Sequence, residues 1–575
     1  MPVLGISGVA HDATVALAYE SSGQGVTYAI EEERLSRIKN ALVFPSSALT
    51  HVLETHELRL HDLQKIAFYA DSRLDFGWMG KLVKYKNGHK SGDMLQLMAS
   101  KHAAEFYIQQ SFLFQLREYA RVRNEQLPEV VCLPHHLTHA AAAYATSSFE
   151  RAAILVADGL GGEACTTSYA AGPTGCERLG SIDLPHSLGL LYAAVTQHLG
   201  FKHTSDEWKV MGLAPYGESD RKLDRFFQEL VLLRPDGSYA INSRYTQWHK
   251  NPFTFGSLFA ESVAEHLGPA RKPDEEITDR HRAVARALQH RVEEAMYHVL
   301  RHLHARTKID SLCLVGGVAL NCVVNGRILA ETPFRQVYVP YAPGDAGAAV
   351  GAALIAAKKW PTSDFDPTPY LGPAYSNEQI LNECRRAKLS PREMSDPYGE
   401  TSRLIAKGDI VGWFQGRMEF GPRSLGHRSI LADPRRAEMK DRINSAVKYR
   451  EAFRPFAPAV LSERASDWFE DLVPSPYMSF ALKVRKPNIP AVTHVDNTAR
   501  LQTVDAKTSP TFHALISAFE KETSVPVVLN TSFNVKGEPI VCSPADAIRC
   551  FYSTGLDHLV MGPYLLSKET SKVAA

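Results

Sequence analysis

A proline-rich stretch, residues 360–369, constrains the fold of this chain more than any other feature. Its sequence is Trp-Pro-Thr-Ser-Asp-Phe-Asp-Pro-Thr-Pro, and because proline lacks a backbone N–H and fixes φ, neither a helix nor a central strand can continue through it. The chain has 575 residues, which is more than one ordinary core organises. We therefore expect two domains, residues 1–360 and residues 371–575, joined by this linker.

The composition is that of an ordinary globular protein. Hydrophobic residues make up 45% of the chain, charged residues 22%, and the formal net charge is +1, so we expect no nucleic-acid or membrane partner. No apolar run approaches the roughly 20 residues that span a bilayer, and we expect no signal peptide. The eight cysteines include no Cys-x-x-Cys pair, which indicates free thiols in a cytoplasmic protein.

Two strand–turn–strand units predict the core of the first domain. Residues 3–18 form one unit, and the apolar run 152–157 with the glycine-rich turn that follows it begins the other. Such a pair suggests the duplicated ribonuclease-H-like core of the actin, sugar-kinase and Hsp70 class. Residues 280–305 carry apolar residues at helical spacing and predict a core helix, whereas Glu-Glu-Glu-Arg at 31–34 predicts the start of a helix with a solvated face.

A histidine pair is the first candidate for a metal site. His135 and His139 are four residues apart, so on a helix both imidazoles project from one face and can share an ion. Asp158, which ends the apolar run, and Asp345, in a Gly-Asp-Ala-Gly turn, are candidate third and fourth ligands. In a chain with 23 histidines, an isolated pair of this spacing more often lies at a solvated or capped helix end. Two histidines and two aspartates would suit Fe(II), Mn(II) or Zn(II).

Other turns of the first domain carry further candidates. His11 beside Asp12 places a titratable imidazole next to a carboxylate, which suits base chemistry, although an ordinary hairpin is the alternative. A polar loop at 204–217 and a strand–turn–helix junction after residue 315 are candidate nucleotide contacts. The residues concerned are Lys209, Gly212, Gly316, Gly317 and Asn321.

Basic residues of the second domain lie among glycine, proline and aromatic residues, where a cleft is more expected than a surface salt-bridge network. Arg423, Lys448, Arg454 and Arg500 are of this kind. Guanidinium groups bind phosphate and carboxylate oxygens in a bidentate manner. The second domain therefore looks built to hold a polyanion, such as a nucleotide with a second phosphorylated compound.

The motifs, taken in order, resemble those of the O-carbamoyltransferase family, which includes nodulation and antibiotic carbamoyltransferases. They include His-His-Leu-Thr-His-Ala, Lys-Val-Met-Gly-Leu-Ala-Pro-Tyr-Gly, Gly-Gly-Val-Ala-Leu-Asn, Gly-Asp-Ala-Gly, Phe-Arg-Pro-Phe-Ala-Pro and Leu-Asn-Thr-Ser-Phe-Asn. The resemblance covers nearly the whole chain. One departure is Ser424, where relatives usually have alanine.

The resemblance implies a fold and a set of ligands. The fold would be α/β, with an actin-like ATPase domain similar to threonylcarbamoyl transferase followed by a YrdC-like α/β domain. An iron-type ion, Fe(II) or another divalent transition metal, would bind His135, His139, Asp158 and Asp345. ATP would be a co-substrate, with Mg²⁺. The substrate-binding positions of the second domain would be Arg417, Arg423, Lys448, Arg454, Arg500, Asn530 and Ser532.

The implied activity is ATP-dependent O-carbamoyl transfer. The C-terminal domain would make carbamoyl adenylate from carbamoyl phosphate and ATP, and the N-terminal domain would pass the carbamoyl group to a hydroxyl of a small-molecule natural product, with His11 as base and Asp12 beside it. Transfer of a threonylcarbamoyl group to tRNA and a non-catalytic, actin-like regulatory module are the alternatives. A homodimer is left open.

Overall fold

A computed structural model describes most of the chain. The described residues are 1–9, 12–20, 25–70, 91–162, 164–248, 256–359, 368–451 and 453–568, and within the helix at 91–123 the side chains of residues 91–105 are excluded. His11 and residues 360–367 of the proline-rich stretch lie outside these ranges. The linker itself therefore stays a prediction.

The chain contacts define two compact units. The first consists of Met1–Glu32 and Asn40–Pro367, and the second of Glu33–Lys39 and Thr368–Ala575. The second unit is thus discontinuous in sequence, since it contains a short segment from near the N-terminus.

Two five-stranded sheets form the framework of the first unit's described part, and a short hairpin, β9–β10, lies in sequence between the strands β8 and β11 of the second sheet. The strands are β1 (Pro2–Ser7), β2 (Thr14–Tyr19), β3 (Val26–Glu31), β4 (Lys65–Phe68), β5 (Glu129–Cys132), β6 (Ala152–Gly161), β7 (Ala164–Gly172), β8 (Gly175–Asp183), β9 (Val231–Leu233), β10 (Tyr239–Ile241), β11 (Ser311–Val315) and β12 (Gln336–Tyr338).

The two sheets have the same topology. In the first, the order is β3-β2-β1-β4-β5, with β1 antiparallel to β2 and parallel to β4. In the second, the order is β12-β11-β6-β7-β8, with β6 antiparallel to β7 and parallel to β11. An antiparallel three-strand meander extended by two parallel strands is thus present twice. The predicted duplicated ribonuclease-H-like core is confirmed.

Helices cover these sheets. They are α2 (Ser46–Thr55), α3 (Ser91–Arg123), α4 (His135–Ala145), α5 (Leu188–His198), α6 (Glu207–Leu213), α7 (Arg221–Leu230), α8 (Ala264–Leu267), α9 (Asp279–Thr307), α10 (Cys322–Glu331) and α11 (Asp345–Ala356). A short helix, α1 (Glu32–Ser36), precedes them in sequence, and its residues after Glu32 belong to the second unit. The predicted core helix at 280–305 is confirmed as α9, whose Leu288, Val292 and Leu300 are buried. In the part of the chain that the structure describes, no helix has the length and apolar character needed to cross a membrane.

The solvated face predicted for residues 31–34 is wrong, although the predicted helix is present as α1. Glu32 and Arg34 are each 3% exposed. The Glu32 carboxylate accepts hydrogen bonds from the backbone N–H groups of Ser47 (3.2 Å) and Ala48 (2.7 Å) in the first turn of α2. A carboxylate at a helix N-terminus satisfies otherwise unpaired N–H groups, so this charge is buried because it caps a neighbouring helix.

The helix α11 packs unusually close to its neighbours, and small residues make this possible. A Cβ atom on Gly5 of β1 would overlap the carbonyl oxygen of Ala349, and one on Gly351 would overlap the carbonyl oxygen of Thr138 in α4. Backbones can approach this closely only where a side chain is missing. The first residue of α11, Asp345, is thereby fixed relative to α4.

The second unit is a mixed α/β structure, which confirms the predicted class. Among its described residues a nine-stranded sheet has the order β13-β21-β20-β14-β15-β19-β16-β18-β17. Its strands are β13 (Arg392–Glu393), β14 (Val411–Phe414), β15 (Arg428–Ala432), β16 (Ala457–Leu461), β17 (Phe480–Lys483), β18 (Thr498–Val504), β19 (Val527–Ser532), β20 (His558–Met561) and β21 (Tyr564–Ser567). Its further helices are α12 (Asn377–Arg386), α13 (Pro397–Lys407), α14 (Met439–Ile443), α15 (Pro510–Thr523) and α16 (Pro544–Tyr552), and a π-helical turn, Asn444–Lys448, follows α14.

The close packing of α11 generates a stability prediction. Gly5→Ala forces β1 and α11 apart, and we expect it to lower the free energy of unfolding of the first unit by about 1–3 kcal/mol. Gly172→Ala is the control, because the nearest atom to its added Cβ is Arg151 Cγ at 3.7 Å; it should change stability by no more than about 0.5 kcal/mol. Denaturant unfolding of the full chain measures both, and equal effects would contradict close packing at Gly5.

Candidate metal centre and anion site

Four side chains of the first unit converge on one point. His135 and His139 lie one turn apart on α4, Asp158 lies in β6 and Asp345 begins α11. One ligand atom from each residue lies within 4.8 Å of the others. The four metal ligands predicted from the sequence thus lie together. The helical spacing of the histidines, the position of Asp158 in β6 and the close packing of α11 bring them there.

The distances within this cluster suit a shared cation. His135 Nε2 and His139 Nε2 are 2.9 Å apart. His139 Nε2 is 3.3 Å from both Asp158 Oδ2 and Asp345 Oδ1, and His135 Nε2 is 3.6 and 3.4 Å from the same two oxygens. Two imidazole nitrogens and two carboxylate oxygens facing one point form the donor set of a divalent transition metal.

The hydrogen bonds of the Asp158 carboxylate indicate whether an ion would suit this cluster. Its Oδ1 accepts hydrogen bonds from the backbone N–H groups of Gly159 (2.7 Å) and Gly317 (3.2 Å). Its Oδ2, which faces the histidines, is buried and has no hydrogen-bond partner of good geometry among the described residues. Within the described part of the chain, this oxygen is held only by the ion pairs to His139 and His135, at 3.3 and 3.6 Å, and a buried carboxylate oxygen without a hydrogen bond is costly. A cation bound between the four side chains would reduce that cost.

The pKa shifts of the four side chains also indicate that this cluster favours positive charge. Burial disfavours a charged imidazole, yet Asp345 and Asp158 raise the pKa of His135 to about 10 and also raise the pKa of His139. Burial opposes the carboxylate charge as well, but the two histidines hold the pKa of both aspartates below the ordinary value. Protons therefore occupy the cluster near neutral pH when no metal is bound, and a metal must displace them.

Tyr69 belongs to the surroundings of this cluster and was not identified from the sequence. Its ring centroid is 4.8 Å from that of His135, and its hydroxyl donates to the Gly8 carbonyl at 3.4 Å. Burial, Asp345 and Asp12 raise the pKa of Tyr69 well above the ordinary value, so the phenol is neutral. A tyrosine after an apolar strand has no signal in sequence that separates it from a core residue.

Asp12 lies next to the same cluster. Its backbone has a φ of 40°, and its carbonyl accepts hydrogen bonds from the side chains of Ser7 and Thr14, each at 3.0 Å. Its Oδ2 would be 3.8 Å from a Cβ added to Gly344, the residue before Asp345. Asp12 of the predicted acid–base pair is therefore adjacent to the candidate metal centre, while His11 itself lies outside the described residues.

Residues of the first unit that were predicted to contact a nucleotide make hydrogen bonds and an ion pair within the protein. The Gly317 N–H orients Asp158, and Asn321 caps α10 and exchanges hydrogen bonds with Gln289. Lys209 is 3.0 Å from Asp206. Gly316 has a φ of 95°, and Gly212 lies within α6. Of these contacts, the hydrogen bond of Gly317 reaches the metal cluster, and a nucleotide role for the five residues stays a prediction.

The second unit gathers positive charge. Burial, followed by the charges of Arg454 and Arg500, lowers the pKa of Arg450 well below the ordinary value for a guanidinium. Arg450 Nε donates to Asn444 Oδ1 at 2.7 Å, and its Nη2 is buried with no hydrogen-bond partner among the described residues. Arg450 was not singled out in the sequence, although it lies between two predicted residues, Lys448 and Arg454.

Lys448 is buried, and its side chain stabilises the turn after β19. Its side chain is buried, and its Nζ donates to the backbone carbonyl of Ser532 and, at 2.8 Å, to Asn534 Oδ1. Burial and the charge of Arg450 lower the pKa of Lys448 well below its ordinary value. The structure therefore brings Lys448 and Ser532 together, with Nζ directed at oxygen atoms of the turn after β19, and substrate binding by the two residues stays a prediction.

Asn530 in β19 and the loop that precedes β15 contain further residues that were predicted to bind substrate. Asn530 Nδ2 donates to Gln502 Oε1 at 2.8 Å and to the Ser424 carbonyl at 3.2 Å, while its Oδ1 is buried without a hydrogen-bond partner in the described part of the chain. Arg423 precedes Ser424 and is partly exposed. Arg417 donates instead to the carbonyls of Leu371 (2.6 Å) and Gly372 (3.2 Å), so part of its guanidinium supports the backbone.

Glu419 fixes the shape of the same loop and was missed in the sequence. Its side chain is buried, and its Oε2 has no hydrogen-bond partner among the described residues. Its Oε1 accepts hydrogen bonds from the backbone N–H groups of Leu425 (2.7 Å), His427 (2.8 Å) and Arg428 (3.0 Å). A carboxylate that gathers three N–H groups holds the loop in one conformation, and Arg423 lies within that loop.

Removal of one ligand should abolish metal binding. His139→Ala removes a nitrogen from the candidate centre, and we expect it to lower metal affinity by more than about 100-fold, since loss of a supporting contact alone costs 10–100-fold. His136→Gln is the matched control, because His136 is adjacent and buried but bonds Thr167 (2.6 Å) instead of joining the cluster. Elemental analysis of the purified proteins checks this, and equal metal loss in both variants would contradict the assignment.

Metal binding should release protons. Because the pKa of His135 is raised to about 10 in the metal-free protein, its imidazole is protonated at pH 8, and a bound metal must replace that proton. We expect release of on the order of one proton per ion at pH 8. Calorimetric titration in two buffers with different ionisation enthalpies measures it, and a heat independent of the buffer would refute the expectation.

Comparison with known proteins identifies the family. A family model described as "Carbamoyltransferase N-terminus" matches residues 2–354, and one described as "Carbamoyltransferase C-terminus" matches residues 402–568. Among solved structures, full-length HypF in its phosphate- and nucleotide-bound form covers 63% of this chain and 56% of its own, at 13% identity and a TM-score of 0.31. That structural similarity is too low to support an argument.

Relatives match over most of the chain. Nodulation protein NolNO of Sinorhizobium fredii is 38% identical over 98% of this chain and 79% of its own length, and nodulation protein NolO of Bradyrhizobium diazoefficiens is 41% identical over 76% and 79%. An uncharacterized protein of Synechocystis is 36% identical over 98% of this chain and 96% of its own. The chain therefore belongs to the carbamoyltransferase family and is a carbamoyltransferase enzyme.

Proposed function

We propose that this carbamoyltransferase is an ATP-dependent O-carbamoyltransferase with two sites. The second unit activates carbamoyl phosphate with ATP to give carbamoyl adenylate, and the first unit transfers the carbamoyl group to a hydroxyl of a small-molecule natural product. The observation that carries the proposal is the environment of Arg450, whose neighbours Arg454 and Arg500 are also arginines and which lies near the buried Lys448. Cations crowded in this way are stabilised by a polyanionic ligand.

The activation step suits this group of charges. Water hydrolyses carbamoyl phosphate to phosphate and carbamate. An oxygen of the carbamate then bonds to the α-phosphorus of ATP, and pyrophosphate departs with the electron pair of the broken P–O bond. Negative charge accumulates on phosphoryl oxygens throughout, and arginines with Mg²⁺ stabilise it. Arg423, Arg450, Arg454 and Arg500 are the residues we assign to these oxygens. Lys448 holds the turn at Ser532, and Asn530 offers its buried Oδ1 to the substrate.

The transfer step belongs to the first unit in this proposal. A carbamoyl group is a poor electrophile, and adenylation gives it AMP as a leaving group. The acceptor hydroxyl attacks the carbonyl carbon, the bond to AMP breaks, and the hydroxyl proton passes to a base, which we assign to His11 beside Asp12. His135, His139, Asp158 and Asp345 would hold Fe(II) or another divalent transition metal, which would supply positive charge for phosphate or carbonyl oxygens.

Two alternatives are less well supported. Transfer of a threonylcarbamoyl group to tRNA requires a surface attractive to a large polyanion, and the formal net charge of +1 provides no general attraction of that kind. A non-catalytic nucleotide-binding module is inconsistent with membership of an enzyme family. A small hydroxylated acceptor is therefore the substrate class that we propose.

Separating the two half-reactions tests the proposal. The wild-type protein should release pyrophosphate from ATP in the presence of carbamoyl phosphate. Arg454→Ala should reduce that release by about 100-fold or more, because it removes a charge that stabilises the transferring phosphate. His11→Ala should leave the release intact and abolish carbamoylation of acceptors in a panel of polyhydroxylated antibiotics, followed by mass spectrometry.

The control is Arg386→Ala, which removes a 77% exposed side chain paired with Glu383 on α12. It should keep both half-reactions. No pyrophosphate release by the wild-type protein would overturn the adenylate mechanism. Loss of release in His11→Ala with normal release in Arg454→Ala would mean that the two sites have been assigned to the wrong units.

A further inference from the structure

A short segment from near the N-terminus is built into the second unit. Residues Glu33–Lys39 are separated from the rest of that unit by more than three hundred residues of sequence, and they lie outside the part matched by the C-terminal family model, 402–568. The segment contains two arginines, Arg34 and Arg37, with Arg34 only 3% exposed. Burying a guanidinium is costly unless it is well bonded, so its contacts indicate what it does.

Arg34 contacts the loop that carries two predicted anion-binding residues. Its Nη2 donates to the Gly421 carbonyl at 2.9 Å, and its Nη1 is 3.1 Å from Glu33 Oε1. Gly421 has a φ of 107°, a conformation that side-chain-bearing residues rarely adopt. It lies midway between Glu419, which holds the loop from inside, and Arg423. Arg34 therefore fixes the loop at its conformationally special residue.

Arg37 contacts a second loop, which follows β19. Its Nη1 donates to the Ile540 carbonyl at 2.7 Å and its Nη2 to the Pro539 carbonyl at 2.8 Å. Its Nε is 3.5 Å from Asp546 Oδ1. The Asp546 carboxylate also accepts from the backbone N–H groups of Cys542 and Ser543, at 3.2 and 3.0 Å. The guanidinium thus joins two consecutive carbonyls to Asp546, whose carboxylate completes the capping box of α16.

The loop after β19 is also in direct contact with Lys448. Asn534 Nδ2 donates to the Glu538 carbonyl at 2.7 Å, and the Val541 N–H donates to the Phe533 carbonyl at 2.9 Å, so the loop is closed on itself. Its other end is held by Lys448, whose Nζ donates to Asn534 Oδ1 at 2.8 Å and to the Asn534 carbonyl at 2.9 Å. The N-terminal segment therefore bonds one end of a loop whose other end receives the buried ammonium group.

We infer that Glu33–Lys39 is a working part of the candidate anion site, in which Arg34 and Arg37 are positioning residues. Arg34 holds the loop that presents Arg423, and Arg37 holds the loop that receives Lys448. The inference rests on the proposed adenylate-forming function of the second unit. It adds to that function a dependence on a segment encoded at the opposite end of the chain.

Full-length variants test this inference. Arg34→Ala and Arg37→Ala each remove hydrogen bonds to buried backbone carbonyls, and we expect each to raise the KM for carbamoyl phosphate in pyrophosphate release on the order of 10-fold. Arg34→Lys keeps the charge with a different donor geometry and should restore part of the lost affinity. Arg386→Ala, on an exposed face of the second unit, should keep the wild-type KM.

Metal content and thermal stability, measured on the same samples, separate positioning from general destabilisation. A variant that is only less stable would lose active protein but keep the wild-type KM, and this would overturn the inference. If an alanine variant does not fold, the folded Arg34→Lys protein must show the raised KM, and a wild-type KM in it would also overturn the inference. Absence of pyrophosphate release by the wild-type protein would overturn the proposed function itself, and the inference with it.

Discussion

The close packing of α11 against β1 and α4 is the constraint on which the first unit's chemistry depends. Three elements distant in sequence meet where Gly5 and Gly351 leave out side chains. The N-terminus of α11 is thereby held beside the first turn of α4, and Asp345 faces His135 and His139. The metal cluster is therefore a product of backbone approach, since no single loop carries all of its ligands.

The two units bring together charged side chains of opposite sign. The first buries two carboxylates, Asp158 and Asp345, around a point suited to a cation. The second places Arg450 within the electrostatic influence of Arg454 and Arg500, which we propose bind an anion. In each case like charges are kept together by surrounding structure at a cost in stability, and a bound ligand would offset that cost.

The sequence predicts features that depend on local spacing or on distinctive motifs. The i, i+4 spacing of His135 and His139 fixes their common face on any helix, and the strand–turn–strand pattern indicates the duplicated core. Tyr69, Arg450 and Arg34 could not be predicted in the same way, because their roles depend on which distant backbone they contact. Glu–Glu–Glu–Arg at 31–34 is misleading for the same reason: charged residues usually indicate solvent, and only the tertiary structure supplies the partners that permit burial.

The discontinuity of the second unit has a consequence for how the chain is made. Residues 33–39 leave the ribosome long before residues 368–575, so the second unit cannot complete its contacts until synthesis is almost finished. Its assembly includes pairings of very high sequence separation, which slow folding. A gene divided at the proline-rich stretch would likewise yield a C-terminal product that lacks two of its own arginines, although the division falls at the boundary most evident in the sequence.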